Sequence, residues 1–86
     1  KFKVTLGIMP DVAAIEKRGL RVDAVTPGRP AANAGIHAGD IIIFMEGKPV
    51  QDVYEYMHRL SEFQVGQRIS VEVLRGDERV IVIVEL

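Results

Sequence analysis

The side chains that could do chemistry are few in this sequence, and their types and spacing assemble no reactive group. His37 and His58 are the only histidines, and cysteine is absent. Neither histidine has a second histidine or a cysteine at the spacing of a metal site, so both are expected to be surface residues. The serine, threonine and tyrosine hydroxyls are not paired with a sequence-adjacent base that would make them nucleophiles. We therefore predict no catalytic residue, no metal site and no cofactor in this chain.

Composition and charge describe an ordinary globular domain. The 86 residues are 48% hydrophobic, which favours one domain with a packed interior. Eleven lysines and arginines are spread among twelve acidic residues, giving a formal charge of −1, so no partner nucleic acid is expected. The longest apolar run, residues 41–45, is too short for membrane insertion. The sequence starts at Lys1 without a methionine, stops on a strand-like run ending at Leu86 and carries no signal peptide or tail. We therefore interpret residues 1–86 as a single domain excised from a larger chain.

The first part of the chain predicts two strands. Residues 3–6 form a short strand candidate, and the chain is expected to break at Pro10. Residues 20–26 alternate in the manner of a strand, with Val22 and Ala24 facing inward.

The middle of the chain predicts two helices around a central strand. Pro30 and Gly35 are typical of the two ends of a short helix. Residues 41–46 are apolar on both faces, which favours a central strand. A longer helix is predicted over residues 52–63, with Asp52 and Glu55 as its capping box. Its apolar stripe consists of Val53, Tyr56, Met57, Leu60 and Phe63.

The end of the chain predicts a hairpin. Residues 69–75 and 79–86 read as strands joined by a turn at Gly76 and Asp77. The whole count is about five strands, one short helix and one longer helix. We therefore predict a mainly β, α+β fold: a small, partly open β-barrel or sandwich that is capped by the two helices.

Four stretches of this sequence resemble the bacterial type of PDZ domain. Residues 30–42 (PAANAGIHAGDII) are similar to the signature run of that family, and residues 46–50 (EGKPV) to the turn that follows it. Residues 74–77 (LRGD) resemble the final hairpin, and residues 5–8 (TLGI) the carboxylate-binding loop. The resemblance implies a PDZ-like fold whose strand order is circularly permuted relative to animal PDZ domains. It also implies that Asp40 is a turn residue whose carboxylate binds nearby backbone amides.

Further stretches suggest the kind of parent chain. Residues 6–11, 19–23 and 56–57 resemble PDZ domains that are appended to exported peptidases, such as bacterial zinc aminopeptidases and periplasmic serine proteases. This likeness implies an accessory, non-catalytic domain in an exported, periplasmic or cell-envelope protein of a bacterium. The partners it implies are the C-terminal peptide of a substrate or partner protein and other domains of the parent chain.

The resemblance assigns the carboxylate of a bound C-terminus to the backbone amides of Leu6, Gly7 and Ile8. Such a loop needs no charged side chain, because consecutive N–H groups converge on one point. Gly7 suits it because glycine permits unusual backbone angles and a close approach. Lys1 and Lys3 are either additional cations beside the carboxylate or plain surface residues.

The peptide would then lie between the strand that follows Gly7 and the longer helix, adding itself to a sheet edge. The apolar character of this groove predicts a hydrophobic last ligand residue. The residues expected to line the groove are Thr5, Met9, Pro10, Tyr56, Met57 and Leu60.

Pro10 departs from this scheme. It stands two residues after Ile8, where a PDZ strand usually donates a backbone N–H to the ligand, and proline has no such donor. We expect capture of the carboxylate and of the last residue or two, with only short β-augmentation. The alternative is an intramolecular scaffold, regulatory or oligomerisation domain of the parent peptidase with no external ligand.

Overall fold

The computed structural model describes residues 4–11 and 18–86. Six strands form one sheet in which every paired neighbour is antiparallel, in the order β1-β2-β3-β5-β6, with β4 on the side of β3. The elements are β1 Ile8–Pro10, β2 Leu20–Val25, α1 Pro30–Ala34, β3 Ile41–Met45, β4 Lys48–Pro49, α2 Val53–Ser61, β5 Arg68–Arg75 and β6 Glu78–Glu85. The predicted mainly β fold with two helices is confirmed, and the sheet is open. The circular permutation stays a prediction.

The core lies between the sheet and the helices. The side chains of β3 and β5 make up much of it, and it also contains Val84 of β6 and Leu6. Its fully buried members are Leu6, Val22, Ala31, Ile36, Ile42, Met45, Val50, Ile69, Val71, Val73 and Val84. The hairpin of β5 and β6 pairs eight residues of each strand, as the sequence predicts, and turns at Gly76 with φ +63°.

The first strand lies later in the chain than predicted. Residues 4–7 are irregular, residue 3 is outside the described part, and β1 contains the proline that was expected to break it. The predicted strand over 3–6 is therefore wrong in position. Proline is tolerated here because β1 is the edge of the sheet, where a missing N–H removes no ladder bond.

A bulge explains the second difference. Met9 pairs with Ala24 and Pro10 with Val22, so Asp23 is an extra residue in β2. An extra residue reverses the inward and outward alternation beyond it. Val22 is buried as predicted, but Ala24 is exposed and Val25 packs against the core instead. The prediction that Ala24 faces inward is wrong for this reason.

Both helices begin and end close to their predicted residues. In α1 Pro30 is at the N-terminus, and Gly35 ends the helix in a left-handed conformation with φ +94°. In α2 the carboxylate of Asp52 accepts a hydrogen bond from the Glu55 amide at 2.8 Å, as a helix cap does. The Glu55 carboxylate in turn accepts from the amide of Gln51 at 2.8 Å. The helix ends at Ser61, two residues before the predicted end.

Candidate functional site

The loop that leads into β1 requires a glycine at its centre. Gly7 has φ +75°, and a Cβ placed on it would lie only 2.2 Å from the Cβ of Arg29. A side chain at this position would be strained by the backbone angle and would overlap a neighbour. Gly7 therefore allows the backbone of the loop to approach Arg29 closely.

Two carbonyls fix this loop to the rest of the domain. The Leu6 carbonyl accepts a hydrogen bond from the Ala31 amide at 2.9 Å, and the Gly7 carbonyl accepts one from the Thr26 amide at 2.8 Å. The Leu6 side chain is fully buried in the core. The loop is thus held between the start of α1 and the end of β2.

One of the three amides predicted to bind a carboxylate has a partner within the protein. The Gly7 amide donates to the hydroxyl of Thr5 at 3.0 Å. Burial raises the pKa of the Tyr56 hydroxyl, and the nearby backbone of Leu6 opposes the rise. Tyr56 is 6% exposed and belongs to the same hydrophobic core as Leu6.

The third amide, that of Ile8, faces the open edge of the sheet. Ile8 stands opposite Val25, and the neighbouring Gly7 carbonyl bonds the Thr26 amide. Because hydrogen-bonded and non-bonded pairs alternate along an antiparallel ladder, the N–H and C=O of Ile8 point away from β2. Among the described strands, β1 pairs with β2 alone, so its outer edge is available to an added strand.

Pro10 is the next residue that faces this edge. Beyond the bulge the Asp11 amide donates to the Arg21 carbonyl at 2.9 Å, so the alternation turns Pro10 outward again. The edge consequently presents one N–H, that of Ile8, followed by a position that has none. This geometry agrees with the expectation of short β-augmentation.

The predicted groove residues differ in their exposure. Met9 is 60% exposed and Met57 on α2 is 61% exposed, so both side chains are accessible to a ligand. Ile8 and Leu60 are half-buried and pack partly against the core. Thr5 is exposed and Pro10 is half-buried. The roles of these residues in binding stay predictions.

Asp40 is a buried structural carboxylate. Its oxygens accept hydrogen bonds from the Arg75 Nε at 3.0 Å, the Arg75 Nη2 at 2.8 Å and the His37 amide at 2.9 Å. Burial by itself would raise the pKa of Asp40, but these hydrogen bonds outweigh burial and hold the pKa below its usual value. The expected bond to a backbone amide is confirmed. The ion pair with Arg75 was not predicted, because 35 residues separate the two in sequence.

Several other side chains fall where the sequence indicates a surface. His37 and His58 are both exposed. Within residues 4–11 and 18–86, no three histidine or acidic side chains come together as a metal ion would require. The helices of that part are also too short and too polar to cross a bilayer. Lys1 and Lys3 lie outside the described residues.

Sequence reasoning missed one residue beside the loop, Arg29. Its exposed side chain begins against Gly7, which only the fold reveals, because 22 positions of chain separate the two. The single local signal is a basic residue just before the proline that starts α1.

Comparison with known families and proteins extends these observations. The model of the PDZ domain family PDZ_2 matches residues 4–86. The serine endoprotease DegS of Escherichia coli K12 is 40% identical over 62 residues, which are 72% of this chain and 18% of DegS. The periplasmic serine endoprotease DegP of Salmonella typhimurium is 37% identical over 70 residues, or 81% of this chain and 15% of DegP. The chain thus spans less than a fifth of either protease.

Solved structures share the same fold. The HtrA-type protease AlgW with a decapeptide is similar to 96% of this chain with a TM-score of 0.85 and 26% identity, over 28% of its own chain. An aminopeptidase N family protein from Idiomarina loihiensis is similar to 96% of this chain with a TM-score of 0.85, over 14% of its own chain. Its identity of 23% indicates a shared fold alone. The narrower likeness to zinc aminopeptidases stays a prediction.

Proposed function

Because the chain belongs to the PDZ domain family, we propose that it binds the free C-terminus of another polypeptide. The observation that carries this proposal is the open edge of β1, where the N–H and C=O of Ile8 point outward directly after the loop at Gly7. A PDZ domain is an accessory module and not a catalytic unit, so the binding site itself performs no reaction.

The ligand would pair as an additional strand with Ile8 and place its last carboxylate against the loop. The Leu6 amide would bind the carboxylate directly. The Gly7 amide would exchange the Thr5 hydroxyl for the carboxylate, or bind it through that hydroxyl, which still has a proton to donate. Ile8, Met57 and Leu60 would surround the last side chain, so a hydrophobic last residue is favoured. Leu6 is fully buried and would contribute its backbone.

The proteins that resemble this chain support the proposal. AlgW, which has the same fold at 26% identity over 28% of its chain, has a solved structure with a decapeptide. DegS and DegP are endoproteases, and DegP is periplasmic. We infer that this domain serves an exported peptidase, whose catalytic unit is another part of the parent protein. It would deliver substrate tails to that unit or detect exposed C-termini.

One observation favours a second function, that of an internal scaffold. Pro10 removes the second outward N–H from the edge of β1, which shortens the contact that a peptide strand can make. A domain that positions the catalytic unit or mediates oligomerisation would not need that donor.

Isothermal titration with paired heptapeptides separates the two functions. Each peptide ends in valine, leucine, alanine or phenylalanine and is prepared as the free acid and as the C-terminal amide. Carboxylate capture predicts that the free acid binds and that amidation abolishes binding. Absence of binding by every peptide supports the scaffold, whereas equal binding of acid and amide contradicts carboxylate recognition.

Two exposed residues of α2 provide a matched pair of variants. Met57 is assigned to the proposed groove, and Tyr54, 79% exposed on the same helix, is not. We expect Met57→Ala to weaken binding of the free-acid peptide by about fivefold, the effect of about 1 kcal/mol of lost apolar contact. Tyr54→Ala should leave the affinity unchanged. An equal loss in both variants would contradict the assignment of the groove.

A further inference from the structure

The side chain of Arg29 lies over the centre of the loop. Its Cβ, Cγ and Cδ are 2.2, 2.7 and 3.6 Å from the point where a Cβ of Gly7 would be. The aliphatic stem therefore runs along the face of Gly7 that carries no side chain. The guanidinium begins one bond beyond Cδ, so it stays close to the loop and is exposed to solvent.

Among the described residues, Arg29 has no partner of opposite charge, whereas five other arginines do. Within residues 4–11 and 18–86, its guanidinium takes part in no hydrogen bond or ion pair. The arginines that form ion pairs with carboxylates are Arg21 with Asp11, Arg59 with Glu55, Arg68 with Glu85, Arg75 with Asp40 and Arg79 with Glu72. A free cation is thus held next to the loop by the packing of its stem.

The loop itself is short of free donors. The Gly7 amide is bonded to the hydroxyl of Thr5, which leaves the amides of Leu6 and Ile8. A carboxylate has two oxygens and about four acceptor sites. The guanidinium supplies five donors in a planar fork that fits a carboxylate, together with the positive charge that the amides lack.

We propose that Arg29 is the charge partner of the ligand's terminal carboxylate and a determinant of specificity for free C-termini. This inference rests on the proposed function, because it assigns a residue to the same site. It predicts that affinity falls as salt concentration rises, since the ion pair is exposed and therefore screened. Arg29 would act on the terminal carboxylate and not on the side chains of the peptide.

The test measures fluorescence anisotropy of a labelled heptapeptide ending in valine or phenylalanine, as the free acid and as the amide. The proteins are the wild type, Arg29→Gln, Arg29→Lys and the control Arg68→Gln. Glutamine and lysine both keep the Cβ and Cγ that pack on Gly7. Arg68 is exposed on β5 and its replacement removes the same charge from the hairpin.

We expect Arg29→Gln to weaken binding of the free acid by about threefold to tenfold. Arg29→Lys should retain most of the affinity, and Arg68→Gln should match the wild type. The difference between 50 and 300 mM salt should shrink in Arg29→Gln, and any residual binding of the amide should be the same as in the wild type. Thermal unfolding of each variant verifies that the domain is folded.

Failure of this inference is distinguishable from failure of the proposed function. If the wild type prefers the free acid and Arg29→Gln binds it as tightly as Arg68→Gln does, the role of Arg29 is overturned and carboxylate recognition stands. Equal weakening of acid and amide by Arg29→Gln also overturns it, because the residue then acts through packing. If the wild type binds no free-acid peptide, or binds acid and amide equally, both proposals fall.

Discussion

Replacement of Gly7 by alanine measures how closely the loop and Arg29 approach each other. Two costs add in this variant. A residue with a Cβ in the left-handed conformation at φ +75° costs about 1–2 kcal/mol. The new Cβ would also lie 2.2 Å from the Arg29 Cβ, an atom fixed by the backbone, and relief of such overlap costs about 1–3 kcal/mol. We expect Gly7→Ala to lower the free energy of unfolding by about 2–5 kcal/mol.

Three further variants separate the costs: Gly76→Ala, Arg29→Gly and the double variant Gly7→Ala/Arg29→Gly. Gly76 has φ +63° and no atom within 4 Å of its potential Cβ, so Gly76→Ala incurs only the backbone strain. In Gly7→Ala/Arg29→Gly the overlap disappears, and glycine is tolerated at the position that precedes a helix. The double variant should therefore recover about 1–3 kcal/mol relative to the sum of the two single variants.

Urea unfolding followed by circular dichroism gives the free energies of unfolding of the wild type and of these four variants. Each kcal/mol corresponds to about 4–8 °C in Tm for a domain of this size, so a thermal scan provides a second measurement. The reasoning is refuted if Gly7→Ala costs no more than Gly76→Ala, or if Arg29→Gly recovers none of the loss.

Three other predictions concern single residues. Pro10→Ala restores an outward N–H and should tighten binding of a free-acid peptide by about fivefold, because one hydrogen bond contributes about 1 kcal/mol. Pro49→Ala on β4 is the control. An unchanged affinity of Pro10→Ala in titration would contradict the prediction. Asp40→Asn should destabilise the domain at neutral pH. Because the folded pKa of Asp40 is lowered, the stability that it contributes is present above the unfolded pKa near 4 and is lost as the pH falls through the folded value. Urea unfolding between pH 2 and 7 should thus be less pH-dependent in the variant, and parallel curves would contradict this. Tyr56→Phe removes a buried hydroxyl near the Leu6 backbone and should lower the free energy of unfolding by about 1 kcal/mol, measured in urea. An unchanged or stabilised variant would show that the hydroxyl is not needed.

The sequence predicts the regular elements where local signals are strong. Pro30 and Gly35 bound α1, Asp52 caps α2, and the alternation of valines defines β6, since each signal acts over a few residues. The inward position of Ala24 could not be foreseen, because the bulge that reverses the alternation depends on pairing with β1.

Less of the candidate site than of the fold can be predicted from the sequence. Gly7 is identified through the resemblance, but the partners of the neighbouring amides depend on which hydroxyls the fold brings near. Tyr56 and Met57 are adjacent on one predicted stripe, yet one is 6% and the other 61% exposed. A helical stripe indicates the direction in which each side chain points. It does not indicate which of those side chains the neighbouring elements of the fold cover. The packing of Arg29 on Gly7 is likewise a property of the folded chain.

The strands of the sheet differ in the number of residue pairs that hold them, and this difference affects the order in which they open. The hairpin of β5 and β6 holds eight consecutive pairs across a two-residue turn, whereas β1 is attached by three pairs that a bulge interrupts. Local opening begins where few contacts must be broken. Amide hydrogen exchange should therefore be faster in β1, at Ile8 and Met9, than in the hairpin. A peptide that pairs with β1 would turn this edge strand, the most readily opened one, into an interior strand. Binding of a peptide would therefore also raise the local stability of β1.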